Sequence, residues 1–185
     1  MLGTCNCPSR YIARLALASL LLAAAGCSSK SAARPENFIV GLNAHFLDHP
    51  ECLFPESPAF PYETSDRAKT KQMNTLVASQ LLTVQEEFDI HASRYTPTAT
   101  GARYAPRFCY GHRVVSSIDS FTPPVQANGF PETHVAYHYT IEDVPLWAKP
   151  DDVRAAFPAM NHAISGTATD RATLAGTIAG WQVPD

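Results

Sequence analysis

The chain contains no block of lysine and arginine, and its formal net charge is −3. That balance excludes a binder of nucleic-acid backbones, whose affinity rests on clustered cations. No apolar run approaches the roughly 18 residues that mark a membrane-spanning helix. Glycine-rich phosphate loops and the Gly-x-Ser-x-Gly elbow are both absent, so neither nucleotide binding nor a serine nucleophile on a strand–helix turn is indicated. The spacing Cys-x-x-Cys does not occur, which removes the commonest redox and zinc patterns.

What is present begins near the start of the chain. Arg10 and Arg14 precede eleven apolar or small residues at 15–25, the length of a signal-peptide core. The run closes on Ala24-Ala25-Gly26-Cys27 and turns polar at Ser28-Ser29-Lys30. This resembles the lipobox of bacterial lipoproteins, with Ala24 standing where leucine is usual. The resemblance implies diacylglyceryl transfer to Cys27, cleavage after Gly26 and acylation of the new amino terminus. Each buried CH₂ contributes about 0.8 kcal/mol, so two or three acyl chains hold firmly where one is marginal. By resemblance to lipoprotein sorting, the lack of aspartate at position 28 favours the outer membrane, with the protein facing the periplasm. The organisation expected is a lipoprotein signal peptide at 1–26, a lipidated tether at 27–34 and one periplasmic domain at 35–185.

Removing 26 of 185 residues leaves 159, enough for one domain with a sizeable core. Two of 14 basic residues and no acidic ones leave with the signal, so 12 cations face 17 anions, a balance of −5. Cys5 and Cys7 also leave, and Cys27 carries lipid. Cys52 and Cys109 remain, an even pair in an oxidising compartment, and a disulfide between them is expected. The alternative is two reduced thiols acting as redox partners or metal ligands.

Local pattern supplies the elements. Pro35 and His49-Pro50 bracket a helix with Phe38, Ile39, Leu42, Phe46 and Leu47 on one face. Pro50, Pro55, Pro58 and Pro61, set among Leu53, Phe54, Phe60 and Tyr62, predict an extended segment over the core. Ser65 is expected to cap a second helix over 65–82, with a strand near 84–90 after it. A strand over 108–121 and a partner over 132–141 flank the turn signals Pro123-Pro124 and Asn128-Gly129. In the partner, alternation places Thr133, Val135, Tyr137, Tyr139 and Ile141 inward. Trp147 reads as a buried anchor. A helix over 150–164, broken at Pro158 and stopped by Ser165-Gly166, precedes a final strand or hairpin at 172–183. The fold class expected is α+β, with N-terminal helices, a small antiparallel sheet, and a C-terminal helix plus hairpin.

The order LVASQLL, loop, YTPTATG is similar to a winged-helix pattern over about 30 residues, which implies winged-helix-like N-terminal helices. More widely, FCYG, HRVVSSIDSFTPP, THVAYHYTIEDVPLWA, PDDVRAAFPAM and GWQVPD resemble an uncharacterised family of small proteobacterial lipoproteins. That resemblance covers most of the chain from Cys52 onward, and it brings no reaction or catalytic residues.

Seven histidines supply the candidate metal ligands. His45 and His49 lie one helical turn apart, but the sequence reads His-Phe-Leu-Asp-His and lacks the glutamate base of zinc proteases. His134 and His138 share a strand face yet stand about 13 Å apart, with His112 on the neighbouring strand. Glu86, Glu87 and Asp89 form an acidic cluster whose plain reading is a solvated surface. Tyr110, Tyr137, Tyr139 and Trp147 read as core or as the lining of a groove. No catalytic constellation and no cofactor are expected. The function expected is non-catalytic binding of another envelope component, protein or glycan, by a lipid-anchored domain. The alternative is a periplasmic zinc- or copper-binding protein using His45, His49, His112, His134 or His138. Cys27→Ser is expected to abolish incorporation of radiolabelled palmitate and release the protein from the membrane fraction. Unchanged labelling would remove Cys27 as the lipid site.

Overall fold

Helix α1 (Pro35–Asp48) starts where a fixed proline φ suits the first turn, and it buries Phe38, Gly41, Leu42 and Phe46. Leu47, expected on that face, points to solvent instead. The computed structural model describes residues 30–184. Cys27 and the signal segment lie outside the described residues.

The sheet under α1 is antiparallel and runs in the order β1 (Glu51–Cys52), β5 (Cys109–Phe121), β7 (Phe130–Glu142), β8 (Ala168–Thr177) and β9 (Gly180–Gln182). A sixth strand, β6 (Val125–Ala127), pairs with β7 on its open side beyond the end of β5. Strands β5 and β7 have 13 residues each, and their pairing shifts register at Val115/Ser117 and Ile118/Ser120. Such bulges bend and twist a long ribbon, here around α1. A second sheet has the order β2 (Tyr62–Thr64), β4 (Ala92–Pro97), β3 (Leu82–Glu87). Helix α2 (Arg67–Ala78) packs against β3 and against α3 (Asp151–Ala156), while α4 (Pro158–Ile164) follows α3 directly. The break falls at Phe157/Pro158 because proline cannot donate the bond that would continue the helix.

The expected fold class is overturned. The organising element is a six-stranded antiparallel sheet, with a smaller sheet beside it, and among the described residues the first two helices do not form an N-terminal group. Helix α1 packs on β5 and β9, whereas α2 packs on β3 and α3. The winged-helix reading fails at particular residues. The helix ends at Ala78, Gln80 takes a positive φ of 60°, and Leu81-Leu82 leave as the start of a strand. In YTPTATG, Pro97 ends β4 and the Thr98 hydroxyl accepts from the Gly101 amide at 3.0 Å. A Cβ on Gly101 would lie 1.8 Å from the Leu81 carbonyl oxygen, so this glycine serves close backbone approach rather than a wing. The cap of α2 is Asp66, which accepts from the Lys69 amide at 2.8 Å, and not Ser65.

Two cores result. One lies between α1 and the large sheet, around Phe38, Leu42, Val135, Tyr137, Leu174 and Trp181. The other joins α2, α3 and the small sheet around Leu76, Tyr95, Phe108, Trp147 and Met160. Thr133, Val135, Tyr137 and Tyr139 are all buried, as their alternation requires. The Cys52–Cys109 disulfide ties β1 to β5 across 57 residues. In the chain-entropy account a loop of that size contributes about 4 kcal/mol.

Gly41 is the closest contact between α1 and the sheet. A Cβ there would come within 2.0 Å of the Trp181 carbonyl oxygen. Gly41→Ala is therefore expected to cost at least about 1–3 kcal/mol through overpacking against backbone. Urea denaturation measures it, and an unchanged midpoint would mean that α1 does not seat on β9.

Candidate functional site

Alternation along β5 sets Arg113 on the same inward face as Val115, two residues on. Its guanidinium becomes a junction. The Nε donates to Glu51 Oε1 at 2.5 Å, and Nη1 donates to Asp170 Oδ2 at 2.6 Å and to the Tyr137 hydroxyl at 3.4 Å. The cation lies over the ring of Tyr139 at 4.5 Å and of Phe46 at 5.3 Å. Five elements, α1, β1, β5, β7 and β8, thus meet on one charge. Burial opposes that charge, but the Asp170 hydrogen bond and the charge of Glu51 outweigh it and hold the pKa of Arg113 above its ordinary value. Burial raises the pKa values of Tyr137 and Tyr139, with Arg113 pulling the other way. Tyr110 donates to Glu51 Oε2 at 3.5 Å. Its hydroxyl is pushed up to about 12, first by burial and then by the negative charge of Glu51. The three tyrosines are therefore core residues packed around a partly exposed ion network. This cluster was not singled out from the sequence, although the period of two along FCYGHRVV carries the signal.

Concave surface lies elsewhere, on the α2 half of the molecule. A cleft of about 440 Å³ opens between the proline-rich segment, α2 and Phe157. Leu53, Phe54, Pro58, Tyr62 and Met73 form its apolar lining, and Glu56, Lys69 and Gln72 bring polar groups to it. The cleft exists because the prolines keep residues 53–61 out of helix and sheet, so the segment stands off α2 instead of collapsing onto it. The Gln72 amide is fixed by donating to the Ala156 carbonyl at 3.2 Å. A wider groove of about 560 Å³ runs beside Trp147, lined also by Tyr104, Pro145, Leu146 and Asp152. Trp147 is buried as expected, and its neighbour Leu146 is exposed.

The candidate metal ligands do not gather. His45 and His49 stack with ring centroids 4.0 Å apart, and His49 Nδ1 lies 2.8 Å from the His45 carbonyl oxygen. His112 faces Asp143 at 3.5 Å, His138 faces Asp119 at 2.8 Å, and His134 Nδ1 is 3.0 Å from the Thr173 hydroxyl. These three point to three different neighbours. Among the described residues, no group of three His, Cys, Asp or Glu side chains converges. Cys52 and Cys109 are joined to each other, which leaves neither as a thiol ligand. The acidic cluster sits on the β3–β4 ribbon. There Glu86 accepts from Ser93, and Arg94 bridges Glu63 and Glu87 at 2.7 and 3.3 Å.

No family model, curated protein or solved structure matches this chain.

Tyr110 gives the network a measurable signature. It ionises near 10.0 when unperturbed and near 12 in the folded protein, so folding holds its proton more tightly. The stability this confers is intact below pH 10.0 and is lost as pH rises toward 12. Phenolate absorbance should show a group of late-ionising tyrosines whose amplitude Tyr110→Phe lowers by one phenol. An unchanged titration in that variant would contradict the assignment.

Proposed function

We propose that this chain is a lipid-anchored protein of the outer membrane, facing the periplasm, whose domain binds another envelope component without catalysis. The observation that carries the binding reading is the cleft formed by residues 53–58, Tyr62, α2 and Phe157. It has the character of a recognition surface: concave, with apolar and aromatic side chains interspersed with polar groups. Lys69 and Glu56 supply charges of both signs, which would orient a partner, while Phe54, Pro58 and Tyr62 supply the apolar contact. The lining segment is held in place by the Cys52–Cys109 disulfide just before it and by a turn in which the Ser57 amide donates to the Phe54 carbonyl at 3.2 Å, which lowers the ordering cost of binding. The sequence supports the anchor, through Cys27 and the apolar run before it.

Among the described residues, no helix is long and apolar enough to cross a membrane. In this reading attachment is through the lipid on Cys27.

A photo-crosslinking side chain at Tyr62 in the full-length protein tests the binding reading in living cells. A discrete adduct is expected at Tyr62 and not at exposed Ile90, and Lys69→Glu on the exposed rim of the cleft should reduce its yield several-fold. Equal yields at the two positions would remove the cleft as the binding surface.

A further inference from the structure

The large sheet has an apolar end. Strand β7 pairs with β8 as far as Glu132 opposite Ala175, so Phe130 and Thr177 face each other beyond that point. Pro131 confirms the register, since a Cβ on Gly176 would lie 3.0 Å from its ring. The β6–β7 turn at Asn128-Gly129 and the β8–β9 turn at Ile178-Ala179 therefore protrude side by side. Ile178 is fully exposed, and Val125 and Phe130 on the same end are exposed at 62 and 47%. Several large apolar side chains at one end of a sheet are unusual on a surface that meets only water.

The start of the described chain lies at that same end. A side chain at Gly180 would come within 3.6 Å of the Lys30 carbonyl oxygen. The indole of Trp181 and the amide of Asn37 both donate to the Ala32 carbonyl, at 3.1 and 2.8 Å, which fixes where the chain leaves the domain. Cys27 is three residues before Lys30, and three residues reach at most about 11 Å. An acyl chain on Cys27 thus holds this end of the sheet against the bilayer. The other end, at Glu142, is about 40 Å away along β7.

We propose that the Ile178 and Asn128-Gly129 turns form a second contact with the membrane, resting in the lipid headgroup layer beside the anchor. The inference rests on lipidation of Cys27 and goes beyond it by giving the domain a fixed orientation. Some polar groups of the turns are paired within them. The Thr177 hydroxyl accepts from the Ala179 amide at 3.1 Å and donates to the Gly180 carbonyl at 2.8 Å. The Asn128 amide donates to Glu132 at 3.0 Å. The hydrated headgroup layer can pair the remaining backbone groups while the Ile178 side chain reaches toward the acyl chains. With the domain held upright in this way, the β5–β7–β8 strands stand away from the membrane plane.

The test uses the full-length lipidated protein in vesicles of phosphatidylethanolamine and phosphatidylglycerol that contain a nitroxide-labelled lipid. Single cysteines, Ile178→Cys, Val125→Cys and Glu142→Cys, carry a fluorophore, and intact mass verifies the acyl chains on each sample. Several-fold stronger quenching at 178 and 125 than at 142 is expected. Equal quenching at all three positions in acylated protein would overturn the membrane contact and leave the anchor standing. Protein without acyl mass would overturn the anchor and the orientation with it. A label at 178 shielded in the absence of vesicles, and released on dilution, would assign the patch to a second copy of the chain and overturn the proposal.

Discussion

The structure turns on one half-buried cation. Arg113 lies at the edge of the sheet-and-helix core, partly screened from water, and carboxylates from two strands are arranged around its charge. Glu51 comes from the short edge strand, Asp170 from β8, Tyr137 and Tyr139 from β7, and Phe46 from α1. These five partners have to be in register together for the charge to be satisfied. The ion network therefore acts less as a source of stability than as a check on geometry. A strand slipped by one residue would turn Arg113 outward and leave Glu51 and Asp170 without it.

That check works alongside the disulfide, which fixes the same edge by covalent means. Cys52 follows Glu51 directly, and Cys109 opens the strand that carries Arg113. One bond and one ion pair thus hold β1 to β5 from adjacent positions. The edge strand needs both, because its two residues offer few ladder hydrogen bonds. From this edge the chain runs into the proline-rich segment and the cleft, so the fixed edge also sets where the cleft wall begins.

Much of the local structure was legible in the sequence, because its causes are local. Pro35 and His49-Pro50 mark α1, Pro158 splits the later helix, and period-two alternation places Val135, Tyr137 and Tyr139 inside. The class of the fold was misread because its decisive contacts are not local. The alignment of β8 on β7 joins Glu132 to Ala175 and Tyr139 to Ala168, across a connection that contains two helices. Nothing in the short-range pattern of residues 168–177 announces which strand they will find. Likewise, a helix followed by a loop and YTPTATG is shared by unrelated folds until the backbone contact between Gly101 and Leu81 is seen. The Arg113 junction was missed for a related reason. Its inward position follows from alternation, but a charged residue is read as exposed unless its partners on β1 and β8 are known. The cleft could be anticipated only as an extended proline segment, since its far wall comes from α2 and Phe157.

The seating of Gly41 on Trp181 has a consequence for the order of events in folding. The first helix of the domain rests on its last strand, and the Trp181 indole reaches back 149 residues to Ala32. Contacts of such separation form late, because the closure entropy of the whole chain has to be met first. The α1 core therefore stays open until the final residues emerge. A chain delivered from its amino terminus, and held there by lipid, would pass through a stage in which the apolar face of α1 has no strand to cover it.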